Sequence, residues 1–163
     1  MIVWRIAAST PVYRADDLTG GGAAVTGGRW NPVGVPVLYC ASTISLAYLE
    51  TLVHINLSGP MPRNRFRVEI EIPDTVWSAR RVAHVHAATF PKDWDAHPAA
   101  KGSIDYGALW LKAAKEALLV VPSIVIPEES NILVNPVHPD AAKLRVLNVT
   151  RVEYDHRLFA GVR

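Results

Sequence analysis

The 163-residue sequence contains a single cysteine, Cys40, and has little net charge. One cysteine cannot form an intramolecular disulfide, and it cannot supply the several thiolates of a structural zinc site. The formal charge of +2 comes without a run of lysines or arginines, so we expect no direct nucleic-acid binding by this chain. The N-terminus does not resemble a signal peptide, and the apolar runs are too short to span a bilayer. These absences predict a soluble, cytoplasmic protein with no membrane contact.

What is present is a globular composition, with half of the residues hydrophobic and a fifth charged. The length predicts one domain, residues 1–163. Residue patterning predicts strands at 2–6, 37–40, 65–72 and 144–152, one kinked strand or a strand pair within 119–126, helices at 44–55 and 106–118, and loops at 16–28, 84–104 and 127–140. The elements do not alternate regularly as βαβ units. We therefore expect an α+β fold of mixed, mostly antiparallel sheets with flanking helices.

Glu50 is out of keeping with its surroundings in the sequence. It is the only charged residue between Ala41 and Val53, in a segment whose apolar residues cover nearly the whole circumference of the expected helix. This pattern predicts a helix that is buried on all sides. A lone buried carboxylate is costly unless it is paired, protonated or open to a cleft. Glu50 is therefore either half of a structural salt bridge or a functional group.

Two further residues are candidates on weaker grounds. Arg29 follows a glycine-rich segment, where the backbone can approach a ligand closely and a guanidinium suits phosphate or carboxylate. An exposed arginine on an ordinary turn would have the same pattern. Ser123 lies in an apolar stretch, and its hydroxyl needs a hydrogen-bond partner if it is buried. Nearby backbone groups would satisfy that need equally well.

Other familiar sites are disfavoured by the spacing of their residues. The glycines at 20–22 and 27–28 do not fit the dinucleotide-binding G-x-G-x-x-G pattern. Glu50 and His54 are four residues apart on one helix face, but no second helical His-Glu motif completes a metal site. Ser123 has no G-x-S-x-G sequence around it. We therefore expect neither a metal ion nor a serine-hydrolase triad.

Several motifs, in order along nearly the whole chain, resemble those of the RES domain family, which is named for an arginine, a glutamate and a serine. The motifs are Gly27-Gly-Arg-Trp-Asn-Pro-Val-Gly34, Pro36-Val-Leu-Tyr-Cys-Ala41, Leu46-Ala-Tyr-Leu-Glu-Thr-Leu-Val-His54, Val121-Pro-Ser123, Asn131-Ile-Leu-Val-Asn-Pro-Val-His-Pro139 and Tyr154-Asp-His-Arg-Leu158. The chain departs from the family pattern at Ile132, where an aromatic residue is frequent, and at His156, where a proline is frequent.

The resemblance implies a fold like that of the diphtheria-toxin type of ADP-ribosyltransferases. It also implies the toxin of a type II toxin–antitoxin system, which inhibits growth. Family members degrade NAD by hydrolysis or phosphorolysis, or ADP-ribosylate a protein. NAD is then the substrate, no cofactor is needed, and inorganic phosphate is one candidate co-substrate. The implied partner is an Xre-like helix-turn-helix antitoxin that covers the active site and contacts the DNA, and a homodimer within that complex is compatible with the family.

The resemblance also implies which residues act on NAD. Glu50 would stabilise an oxocarbenium-like transition state or orient the acceptor, Arg29 would bind the pyrophosphate, and Ser123 would hydrogen-bond the ribose or position Glu50. The residues expected to bind NAD are Arg29, Tyr39 beside the nicotinamide, and Ser123. Asn135 and Arg5 are weaker candidates for NAD contact or for support of the site. Water, phosphate and a protein side chain stay open as acceptors. A catalytically inactive binding module is the alternative from another class.

Overall fold

The structure is a computed structural model that describes residues 1–55 and 62–159. Its centre is one sheet, whose strands are β1 (Ile2–Ala8), β2 (Leu38–Ala41), β3 (Arg65–Glu71), β4 (Arg81–Val82), β5 (Leu118–Pro122), β6 (Ser130–Val134) and β7 (Arg145–Arg151). The seven strands run in the order β4-β5-β6-β2-β1-β3-β7. Every neighbouring pair is antiparallel except β4 and β5. This mixed, mostly antiparallel sheet confirms the predicted α+β class.

Helices flank the sheet. The α-helices in the described part of the chain are α1 (Gly21–Thr26), α2 (Ile44–Leu52), α3 (Asp74–Ser78) and α4 (Lys101–Ala113), and short 3-10 helices span Pro139–Lys143 and His156–Phe159. None of these described helices is both long and apolar enough to cross a membrane.

The two faces of the sheet carry different helices. Side chains of one strand alternate between the faces, and directly paired residues of antiparallel neighbours share a face. The face that includes Val3 packs against Val76 of α3, and we call it the α3 face. The opposite face includes Trp4 and its partner Ala41, which pack against Leu46 of α2. We call it the α2 face, and α4 packs on the same face over β5 and β6.

Two segments that we expected to be loops contain regular structure. Within 16–28, residues 21–26 form α1, which buries none of its side chains, and its glycines concealed it because glycine has low helix propensity. Within 127–140, residues 130–134 form β6, a central strand whose last three residues are fully buried. Its short apolar run does not alternate because it packs on both faces, and the flanking asparagines suggested a loop.

Two helix predictions were partly wrong. α2 buries only Leu46 and Ala47, while Leu49 and Val53 are 37% and 60% exposed. The helix lies on one side of the sheet, so only one stripe of it is covered, and the expected burial on all sides is incorrect. α4 begins at Lys101 and stops at Ala113, because Ala114 takes a left-handed conformation with φ 45°. Residues 118–122 then belong to β5, and no strand forms at 124–126.

Candidate active site

Helix α2 carries Glu50 towards the strand β6. Its first turn is capped by Thr43, whose Oγ1 accepts a hydrogen bond of 3.1 Å from the Leu46 backbone N–H, as expected of a threonine at this position. Leu46 then packs against the α2 face of the sheet. Four residues later, one turn further along the helix, Glu50 is half-buried. Its carboxylate is therefore held between the helix and the sheet.

Ser123 meets Glu50 directly. The Ser123 side chain is fully buried just after β5, and its Oγ donates a hydrogen bond of 2.7 Å to Glu50 Oε1. The same Oγ accepts from the backbone N–H groups of Val125 and Ile126 at 3.0 and 3.1 Å. A hydroxyl has one donor and two acceptor positions. All three are used, so the hydroxyl hydrogen can only point at the carboxylate.

A third residue, Asn131, completes this cluster, and the sequence analysis gave it no role. Its Nδ2 donates to the same Oε1 of Glu50 at 2.6 Å. Asn131 lies on the α2 face of β6, opposite Ala41 of β2 and Val121 of β5. The available signal was a polar residue directly before the buried run 132–134, but that signal is visible only once β6 is known to be a central strand.

Arg29 lies in the turn between α1 and β2. Its Nη1 donates to the backbone carbonyls of Trp94 and Ala96 at 2.5 and 2.9 Å. A guanidinium carries five N–H groups in a planar fork, and those on Nε and Nη2 make no hydrogen bond within the described ranges. One edge of Arg29 is thus anchored to the 94–96 segment, and the other edge is left to meet an anion.

Tyr39 supports the turn that carries Arg29. Its hydroxyl accepts from the Trp30 backbone N–H at 3.0 Å and donates to Asn31 Oδ1 at 2.8 Å. Burial raises the pKa of Tyr39 well above its usual value, and the nearby Arg29 charge only partly opposes that rise, so the phenol remains protonated. A Cβ at Gly28 would lie 2.7 Å from the Tyr39 hydroxyl. Only glycine allows the turn to approach Tyr39 so closely.

Asn135 and Arg5 are not brought to this cluster. Asn135 is 1% exposed, with Nδ2 donating to the Leu111 carbonyl at 3.0 Å and Oδ1 accepting from the Val137 N–H at 3.3 Å. It ties the end of β6 to α4. Arg5 shares the α3 face with Val3, behind the sheet from Glu50, and donates to the Asp17 carbonyl at 3.0 Å. The structure therefore places both residues apart from the Glu50 cluster, and their contact with the ligand stays a prediction.

Comparison with known proteins agrees with the motifs in the sequence. The sequence model of the RES domain matches residues 2–156. The chain belongs to the RES domain family. This confirms the family that the motifs around Arg29, Glu50 and Ser123 predicted.

Individual relatives extend over most of the chain. A Sphingobium protein named "Prs ADP-ribosylating toxin" is 50% identical over 155 residues, which cover 95% of this chain and 94% of that protein. A Yersinia enterocolitica protein named "Toxin Res" is 37% identical, covering 85% of this chain and 86% of the relative. A chain in the crystal structure of the M. tuberculosis MbcT–MbcA toxin–antitoxin complex superposes with a TM-score of 0.66 over 97% of this chain and 86% of that chain, at 16% identity. At that identity the superposition shows a shared fold.

Proposed function

We propose that this chain is the toxin of a toxin–antitoxin pair and that it cleaves the nicotinamide–ribose bond of NAD in the cytoplasm. The observation that carries the proposal is the state of the Glu50 carboxylate. Oε1 receives hydrogen bonds from Ser123 and Asn131, whereas Oε2 makes none among the residues the structure describes. A carboxylate that is oriented at one oxygen and open at the other suits a substrate on which positive charge develops.

The chemistry needs such a group. As the C–N bond breaks, its electron pair leaves with the ring nitrogen, the nicotinamide becomes neutral, and positive charge spreads over C1′ and the ring oxygen of the ribose. In our proposal Glu50 Oε2 faces this charge. An oxygen of the acceptor then forms the new bond to C1′ and loses its proton. Removing a pre-oriented electrostatic group typically costs about 10²–10³ in rate.

Arg29 provides the second contact. We assign the NAD pyrophosphate to the Nε and Nη2 edge, because Nη1 is occupied by the carbonyls of Trp94 and Ala96. A planar guanidinium edge binds phosphate oxygens bidentately. Tyr39 then acts by holding the turn that presents Arg29, and its ring borders the nicotinamide. Ser123 acts through Glu50 and does not contact the ribose, since it is fully buried.

The acceptor distinguishes two enzyme classes. Water or inorganic phosphate would make the chain an NAD glycohydrolase or phosphorylase, with no cofactor. A protein side chain would make it a mono-ADP-ribosyltransferase, and the name of the 50%-identical Sphingobium relative favours this second candidate. We propose that the sheet is of the ADP-ribosyltransferase type in either case. Incubating the protein with NAD, with and without phosphate and with a cell extract, and identifying the products by mass spectrometry, decides among the acceptors.

The proposed partner is an Xre-like helix-turn-helix antitoxin that covers the cleft and makes the DNA contact, with a homodimer as a compatible assembly. It is supported by the fold shared with a chain of a toxin–antitoxin complex. An inactive binding module would not need an oriented Glu50. Expression of the chain alone separates these two roles, because a toxin stops growth and lowers cellular NAD, whereas a module does neither.

The decisive experiment is the rate of NAD consumption by purified Glu50→Gln protein. The amide keeps the shape of the side chain and removes its charge, so we expect kcat to fall about 10²–10³-fold with little change in KM. The matched control is Glu153→Gln, because Glu153 is exposed, and it should keep full activity. A folded Glu50→Gln protein that consumes NAD at the normal rate refutes the proposal.

A further inference from the structure

We propose that Asn131 is a positioning residue, which selects Oε2 as the oxygen of Glu50 that faces the substrate. The inference rests on the proposed function for its catalytic consequence. It also makes a prediction about Asn131 and Glu50 that needs no substrate.

The contact with Glu50 determines which atom of the Asn131 amide faces the carboxylate. A carboxylate only accepts hydrogen bonds, so the atom of the amide 2.6 Å from Glu50 Oε1 must be the nitrogen. The contact joins β6 to α2 across 81 positions of the sequence. Opposite Asn131 on β2 stands Ala41, which is small and buried. The amide therefore sits on a face of otherwise apolar neighbours, where an unpaired polar group would be costly.

Ser123 alone does not fix the carboxylate. The last torsion of a glutamate side chain is broad and roughly two-fold, so a single donor permits the carboxylate to swing about the bonded oxygen. Asn131 and Ser123 approach the same oxygen from two elements, β6 and the segment after β5. Two donors on Oε1 remove that freedom, and Oε2 is left as the oxygen without a protein partner in the described ranges.

The helix that carries Glu50 is also tied to the segment that leads into β6. Thr43 Oγ1, which caps α2, donates a hydrogen bond of 2.5 Å to Glu129 Oε2. Glu129 precedes Ser130, the first residue of β6. The start of α2 is thus tied to the start of β6, and the distance between Glu50 and Asn131 is restrained at two points. Moving α2 as a whole away from β6 would have to break both contacts.

The test compares Asn131→Ala and Asn131→Asp with the wild-type protein. In Asn131→Ala we expect kcat to fall about 10- to 100-fold with KM nearly unchanged, because a small misplacement of a reacting group costs rate more than binding. Asn131→Asp keeps the shape but places a second carboxylate against Glu50, and two carboxylates this close share one proton. Its activity should be poor at neutral pH and should recover relative to wild type as the pH falls, because the shared proton restores a donor where the amide stood.

The control is Asn148→Asp, an exposed asparagine on β7, four strands away from β6. It should show wild-type kcat at every pH. A purely structural Asn131 would lower stability but would leave the kcat ratio of Asn131→Asp to wild type independent of pH. Full kcat in folded Asn131→Ala, or a pH-independent ratio in Asn131→Asp, overturns the inference.

Thermal unfolding separates this inference from the proposed function. If the wild-type protein leaves NAD intact, the proposed function fails on that result alone. The contact is then judged by the unfolding temperature of Asn131→Asp. A shared proton is bound more tightly in the folded state, so the stability deficit against wild type should shrink as pH falls and grow as pH rises. A deficit that is constant with pH overturns the inference without any activity measurement.

Discussion

Removing one oxygen atom from the protein, by Ser123→Ala, tests how much of the site is built on that hydroxyl. The Ser123 side chain is fully buried. Its Oγ donates to Glu50 at 2.7 Å and accepts from the Val125 and Ile126 N–H groups at 3.0 and 3.1 Å. The substitution therefore deprives three polar groups of a partner, and alanine offers no replacement.

The magnitude follows from what each group loses. A hydrogen bond to a charged group contributes about 1.5–3 kcal/mol, and each backbone N–H left without a partner costs about 1 kcal/mol at partial burial. We expect a loss of about 4 kcal/mol in the free energy of unfolding. For a chain of this size that corresponds to a Tm lower by about 10 °C. The carboxylate of Glu50 also loses one of its two restraints, so kcat for NAD should fall.

Ser103→Ala is the matched control. Ser103 is equally buried, but within residues 1–55 and 62–159 its Oγ makes a single hydrogen bond, donated to the Ala100 carbonyl at 2.9 Å. Its loss should cost about 1 kcal/mol and leave NAD consumption unchanged. Urea unfolding measures both stabilities, and kcat is measured at a temperature well below both transitions. The reasoning is refuted if Ser123→Ala loses no more stability than Ser103→Ala, or if it keeps full kcat while folded.

Three other perturbations test the placement of the surrounding residues. Gly107→Ala should lower the free energy of unfolding by about 3 kcal/mol, because its Cβ would lie 2.0 Å from the Trp30 carbonyl oxygen. Gly22→Ala is the control: its Cβ would meet nothing within 4 Å, and it should stabilise by about 0.5–1 kcal/mol. Equal effects of the two variants in urea unfolding would contradict the packing of α4 against the turn that contains Trp30. Arg5→Met should leave kcat and KM for NAD unchanged because Arg5 lies behind the sheet from Glu50, so a specific loss of NAD binding, measured by calorimetry, would restore Arg5 to the site. Burial raises the pKa of the Cys40 thiol to about 12, so iodoacetamide should label Cys40 only as fast as the protein unfolds, and rapid labelling of the native protein would show that Cys40 is accessible.

Glu50 shows how far the sequence can lead to a site. A single carboxylate among apolar residues identified it without knowledge of the fold. The expected burial of the helix on all sides is incorrect, because Leu49 of α2 and Val53 just after it are open to solvent. The lone charge was still informative, since Glu50 is half-buried and takes its partners from the sheet. Which residues those are could not be read from the sequence, because they depend on strand order.

The strand β6 explains why Asn131 was missing from the predicted site. Its position between β5 and β2 is a long-range property that no local pattern states, and without it Asn131 is an asparagine in a presumed loop. Arg5 and Asn135 lie apart from the Glu50 cluster, and their contact with NAD stays a prediction. The family resemblance suggested both as candidates, and in the structure their side chains donate to the Asp17 and Leu111 carbonyls. A buried polar residue can stabilise the fold by bonding to the backbone without taking part in the chemistry.

The contacts on Glu50 Oε1 also set an order in time. Arg29 and Glu50 are synthesised before the two donors, which lie 73 and 81 positions after Glu50. A nascent chain in which β6 has not yet been synthesised contains Glu50 but lacks the Asn131 donor that orients its carboxylate. Proteolysis should have a similar effect. Cleavage of one peptide bond between Ser123 and Asn131 would leave both donors and Glu50 present but would break the segment that holds the two donors together. Assembly of the reactive group therefore waits for the synthesis of β6 and depends on the segment between Ser123 and Asn131 staying intact.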